Sequence, residues 1–154
     1  MTLNYISVSA LPWDVLTPGI HTMSLADFEN EFVYNDVRRK QFKGLILALR
    51  SLQTAGCAKV YIDGSYVTKK PVPGDFDACW DRGGVNPLLL DSELLEFTPP
   101  RVSQKLKYEG ELFLSDGSAD GVHTFLDFFQ KVRGSNDTKG IVELNLSNED
   151  LSLF

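Results

Sequence analysis

Between Tyr61 and Trp80 the chain reads YIDGSYVTKKPVPGDFDACW, and two features of that stretch are able to do chemistry. A glycine-serine pair, Gly64 and Ser65, closes one strand-like run, and two carboxylates, Asp75 and Asp77, take alternate positions of the next. Residues two apart on a strand project from the same face with Cα atoms roughly 6.5 Å apart. Such a pair is able to grip one Mg²⁺ or bridge two, and paired metals stabilise the attacking and leaving oxygens of an in-line phosphoryl displacement. Gly64 lets the main chain approach an anion with no Cβ in the way, while Ser65 offers its hydroxyl and, where a helix begins there, an unpaired amide. Either half alone is a common surface feature, a turn or a solvated strand end; the combination is far more specific.

A third acid would complete the set. Glu111 starts a later strand and is expected to reach the same metals and accept the proton of an attacking hydroxyl; a surface glutamate on an edge strand is the other reading, and the pattern leaves both open. Lys69 and Lys70 lie between seat and carboxylates, with Lys69 expected at the outer phosphates and Lys70 solvated. His21 and His123 have no second ligand near them in sequence and read as structural or solvated. Arg39 and Lys43, one helical turn apart, read as a solvated helix face, and Trp80 and the Asp127-Phe128-Phe129 run as packing.

The elements that position these residues follow from periodicity. Residues 1–19, with Pro12 and Pro18, read as an extended arm. Ser24 caps a short helix, LADFENEF, and Asn35 a longer one with Val37, Phe42, Leu45, Ile46, Leu49 and Leu52 on one face and Gly56 as its stop. AKVYID and DFDACW read as strands, the second with Asp75, Asp77 and Cys79 on one face and Phe76, Ala78 and Trp80 on the other. LLLDSELLEF is expected to be helical, GELFLS a strand, Val122–Val132 an amphipathic helix and IVELNL a final strand. The order fits one α/β or α+β domain over residues 1–154, with a mixed sheet flanked by helices.

Composition narrows the function. The 154 residues are 43% hydrophobic and 23% charged, an ordinary globular balance. The net charge of −6 disfavours a broad phosphate-binding surface, so no extended DNA-binding face is expected. No run approaches the roughly 20 apolar residues of a membrane span, no basic apolar leader opens the chain, and Cys57 and Cys79 lack metal-site spacing; cytoplasmic residence is the expectation.

Asp63-Gly64-Ser65, nine residues, then Asp75-Phe76-Asp77 resembles the signature of the polymerase-β-type nucleotidyltransferase superfamily, including its minimal members. From about Leu16 to Leu146 the chain is similar to a bacterial and phage family of nucleotidyltransferase-like proteins. The resemblance implies the nucleotidyltransferase fold, a nucleoside triphosphate with Mg²⁺, Gly64 and Ser65 at the phosphates, and Asp75 and Asp77 as metal ligands. Glu111 stands where the superfamily often has aspartate. Related minimal enzymes attach nucleotides to a protein or to RNA in toxin-antitoxin and phage-defence systems, and the acceptor here is expected to be a separate molecule. Two other functions compete: an inactive module of the same fold that masks a basic partner through its acidic surface, as an antitoxin or inhibitor would, and a two-metal phosphoesterase, disfavoured because no histidine lies near the acids.

Overall fold

A computed structural model describes residues 2–154. Its main sheet has five strands in the order β3-β7-β4-β5-β6, where β3 is Gly19–Met23, β4 Lys59–Asp63, β5 Phe76–Trp80, β6 Gly110–Leu114 and β7 Gly140–Asn145. β3 runs parallel to β7 and β5 parallel to β6, while β4 is antiparallel to both its neighbours, β7 and β5. The chain therefore leaves β4 at the same end of the sheet at which it enters β5, β6 and β7. Two further strands, β1 (Tyr5–Ile6) and β2 (Val15–Leu16), form a separate antiparallel ladder. The architecture is the expected α+β with a mixed sheet.

One sheet face is apolar. Val60, Ile62, Phe76, Ala78, Trp80, Leu112, Val142 and Leu144 join a single core with α1 (Leu25–Phe32) and α2 (Asp36–Thr54). Both helices start where their caps predict, with Ser24 Oγ accepting from Asp27 N at 3.1 Å and Asn35 Oδ1 from Arg38 N at 2.9 Å. Phe42, Leu45, Ile46, Leu49 and Leu52 are buried as their spacing implies, but Val37 in the first turn of α2 is exposed. Gly44 in mid-helix permits a close approach of two elements, because a Cβ there would lie 1.9 Å from the Tyr108 carbonyl oxygen.

Several expectations fail. Within the expected arm Val15 and Leu16 are fully buried, and the following GIHTM, where no strand was expected, forms the edge strand β3, so His21 lies on a strand with Nε2 2.7 Å from the Thr17 carbonyl. LLLDSELLEF makes two short 3-10 turns, Pro87–Leu89 and Ser92–Leu95, because each is too short for a full α-turn ladder and Leu88 faces solvent. A seven-residue helix, α3 (Val102–Tyr108), precedes β6 where none was expected. Of Val122–Val132 only Phe125–Phe128 is helical (α4); the chain then doubles back to bridge Lys131 with Thr138 while the rings of Phe125 and Phe129 pack, tilted, against Phe113 of β6.

The segment joining β4 to β5 is fixed by one side chain. Arg38 is fully buried and donates to the carbonyls of Phe32, Tyr66, Thr68, Lys70 and Pro71 at 2.5–3.3 Å, with Tyr34 and Tyr66 rings 4.7 and 4.9 Å from its guanidinium carbon. Asn35 Nδ2 reinforces it on Pro71 O at 2.7 Å, and Gln41 Nε2 on Pro73 O at 2.6 Å. Arg38→Met is expected to lower stability by about 3 kcal/mol or more in urea denaturation, because it leaves several buried carbonyls unpartnered. Arg38→Lys, with fewer donors and no planar fork, recovers only part of the loss.

Candidate functional site

The register of the sheet assembles the site. Asp63 of β4 stands opposite Asp77 of β5, and Asp77 opposite Glu111 of β6. Asp75, one position before β5, shares their face by the period of two. Asp75, Asp77 and Glu111 each place one carboxylate oxygen within 4.8 Å of the others. All three donors are hard carboxylate oxygens, so the set suits an oxygen-seeking divalent cation such as Mg²⁺ or Ca²⁺, and its chemistry is wrong for a thiophilic metal.

Electrostatics mark the same place. Burial, then the charges of Asp75 and Glu111, push the Asp77 carboxyl up to about 7. Asp75 is raised by burial and by Glu111. Glu111 is held by two cations of α3 and its cap, Lys105 Nζ at 3.2 Å and Arg101 Nη1 at 3.6 Å, so it is the third acid of a cluster and not a free surface glutamate. Gly64 lies tight against the cluster: its φ is +70°, and a Cβ there would sit 2.6 Å from Asp77 Oδ2.

Two groups of residues escaped the sequence. Asp63 is fully buried; its Oδ2 accepts only the Cys79 thiol at 3.6 Å and its Oδ1 has no hydrogen-bond partner. Burial and the Asp77 charge hold its carboxyl well above the usual range. Beside it opens a pocket of about 430 Å³ whose wall includes Gly64, Asp77, Phe129, Lys131, Arg133 and Lys139. Among the described residues, the lysines and arginines with no ion pair, side-chain hydrogen bond or aromatic ring as partner are Lys43, Lys131, Arg133 and Lys139, and the last three all line this pocket. Lys139, just before β7, is partly buried, and desolvation lowers its pKa against the opposing pull of Asp63 and Asp77. A lysine directly before a strand that neighbours the Gly-Ser strand was the available signal, but only the β7-β4 pairing gives it meaning.

Other expected residues lie elsewhere. Lys69 is not at the pocket; its ammonium sits 4.0 Å from the Tyr5 ring centre and 3.9 Å from Glu31, drawn there by the β1-β2 ladder that the sequence did not reveal. Ser65 is in the 3-10 turn Gly64–Val67, where its carbonyl accepts Thr68 Oγ1 at 2.7 Å, and it does not line the pocket. Lys70 rests over Trp13 and moderates the Asp75 charge. Cys57 and Cys79 are free and buried, as expected.

The chain belongs to DUF6932, a family of unknown function whose model matches residues 11–145. No curated protein and no solved structure matches the chain.

Gly64→Ala is expected to lose about 1–2 kcal/mol from the left-handed backbone alone and to weaken Mn²⁺ binding in titration calorimetry by displacing Asp77. A second outcome concerns pH. Asp77 keeps its proton to about pH 7 when folded, against 3.8 for the ordinary group. Between those values the folded state binds more protons, so stability falls as pH rises through that window and levels off above it. In chelated buffer the melting temperature should rise from pH 8 to pH 5, and less steeply in Asp77→Asn; identical slopes would refute the assignment.

Proposed function

We propose that this DUF6932 member is a Mg²⁺-dependent nucleotidyltransferase, moving a nucleoside monophosphate from an NTP to a hydroxyl of a protein or RNA acceptor and releasing pyrophosphate. The observation that carries the reading is the juxtaposition of two opposite fields at one sheet end: three convergent carboxylates and, sharing Asp77 with them, a pocket walled by cations that have no other partner. A metal-bound polyphosphate is the chemistry that satisfies both at once.

Asp75, Asp77 and Glu111 would hold the metal, whose charge there would offset that developing on the transferred phosphoryl group. Lys131, Arg133 and Lys139 would take the outer phosphates, the role first expected of Lys69. Gly64 leaves the main chain free to approach them. Phe128 and Phe129 on the pocket wall would offer an apolar surface to the base. Glu111 is oriented by its ion pairs to Arg101 and Lys105, and in this reading it would assist the acceptor hydroxyl. The roles in toxin-antitoxin or phage-defence systems belong to the same proposal.

The Glu111 ion pairs also favour a second reading, a binding module without turnover, since they balance one carboxylate with no metal present. Incubation with each α-labelled NTP and Mg²⁺, against total RNA and cell lysate on a denaturing gel, separates the two. The enzyme reading expects a labelled acceptor, loss of label in Asp77→Asn with folding retained, and a KM for NTP raised about tenfold or more in Lys139→Gln. Label transfer undiminished in Asp77→Asn would end it. No transfer, together with no Mg²⁺-dependent heat when NTP is titrated into the protein, would favour the module.

A further inference from the structure

The pocket beside Asp77 has walls from two distant parts of the chain: the turn that starts at Gly64, and a hairpin of residues 130–139 that carries Lys131, Arg133 and Lys139. The hairpin closes on itself, with Lys139 N donating to Gln130 O at 2.9 Å, Val132 N to Asp137 O at 3.0 Å, and a bridge between Lys131 and Thr138. Among the described residues, no hydrogen bond or ion pair ties 131–138 to any part of the chain outside 126–139. Its cations repel one another, and the Arg133 charge acts against that of Lys139. What holds the hairpin is apolar. Val132, between the exposed Lys131 and Arg133, is 1% exposed and packs with Val8 and Val15 in a small cluster, flanked by Ile6, Leu11 and Trp13, that is separate from the main core.

The same N-terminal residues also grip the other wall. Val15 bridges Thr68, Asp14 O accepts from Lys69 N at 2.9 Å, and the Lys70 ammonium lies 4.8 Å from the Trp13 ring centre. Residues 68–70 follow directly on the 3-10 turn Gly64–Val67. Residues 5–16, closed by the β1-β2 ladder and by Leu11 N on Val8 O at 3.3 Å, therefore touch both sides of the pocket. Spacing of this kind matters, since a misplacement of about 1 Å costs a reaction up to about a hundredfold.

We propose that residues 5–16 brace the two walls, with Val8 and Leu11 as positioning residues that act through Val132 to hold Lys131, Arg133 and Lys139 at a fixed distance from Gly64 and Asp77, an inference that rests on the polyphosphate reading of the pocket. Apolar contact with Val132 offsets the repulsion among the three cations, so the phosphates meet donors that are already gathered.

Calorimetric titration of the full chain with inorganic tripolyphosphate and, separately, with Mn²⁺ tests it. The parent should bind both. Val8→Ala should weaken tripolyphosphate about tenfold and leave Mn²⁺ affinity within about twofold, because Asp75, Asp77 and Glu111 are set by the β5-β6 pairing over the main core. Val8→Ile, which keeps the apolar contact, should bind as the parent does. Lys139→Gln should also weaken tripolyphosphate, and Val8→Ala should cost less in that background than in the parent, since both act through one hairpin. In turnover Val8→Ala should raise KM for NTP about tenfold and change kcat by less than about twofold. Leu11→Ala, at a partly buried position, should show the same pattern if the valine variant fails to fold. Tripolyphosphate binding unchanged in both Val8→Ala and Leu11→Ala, a parallel loss of Mn²⁺ affinity, or full additivity with Lys139→Gln would overturn the brace alone; no tripolyphosphate binding by the parent would overturn the polyphosphate reading with it.

Discussion

Burying Arg38 takes a full charge out of water with no acid beside it, a cost that is met only because five carbonyl oxygens converge on its planar fork. Four of those carbonyls belong to Tyr66, Thr68, Lys70 and Pro71, in the segment that leaves Gly64 and returns to Asp75. The helix thereby dictates the path of a proline-broken connection that has little regular structure of its own. Had that path shifted by a residue, the period of two would turn Asp77 to the apolar face, where Phe76 and Ala78 now pack. Tyr66 closes the arrangement, since its hydroxyl donates back to the Arg38 carbonyl at 2.8 Å.

The carboxylates held by this frame are mutually unfavourable. Asp63, Asp75 and Asp77 all have raised pKa values from burial and from a neighbouring carboxylate, Asp77 beside Asp63, Glu111 beside Asp75, and both Asp75 and Glu111 beside Asp77, and the sheet register forces the crowding. Hydrophobic packing on the opposite face, continuous from β7 across β4 and β5 to β6, supplies the stability that tolerates it. Like charges gathered in a partly dry site, with unpartnered cations across a shared pocket, form a site whose groups are better satisfied by a ligand than by each other.

The strands β4 to β7, both long helices and their caps were legible because each depends on neighbours within four residues. Asp75, Asp77 and Glu111 could be named for the same reason: alternation assigns a face. Three other elements were hidden. The strand at Gly19–Met23 has exposed residues over most of its length and so lacks an alternating signal. Helix α3 exposes Val102 and Leu106 and is fixed instead by Gly44 against its last carbonyl and by Gln104, whose side chain accepts from Leu112 N at 2.9 Å. The run around Phe125 has helical spacing, yet the Phe113 ring sets where it must turn.

The sequence by itself determined which residues carry charge and which face of each element is apolar, since periods of 2 and 3.6 are local geometry. It could not say which charge meets which. Lys69 lies between the two motifs in the chain but at Tyr5 and Glu31 in space, whereas Lys139, more than sixty residues from Asp77, stands at the pocket. Tertiary structure decided that, because the antiparallel insertion of β4 between β5 and β7 is a long-range pairing, and Coulomb interactions respond to distance in space and not along the chain.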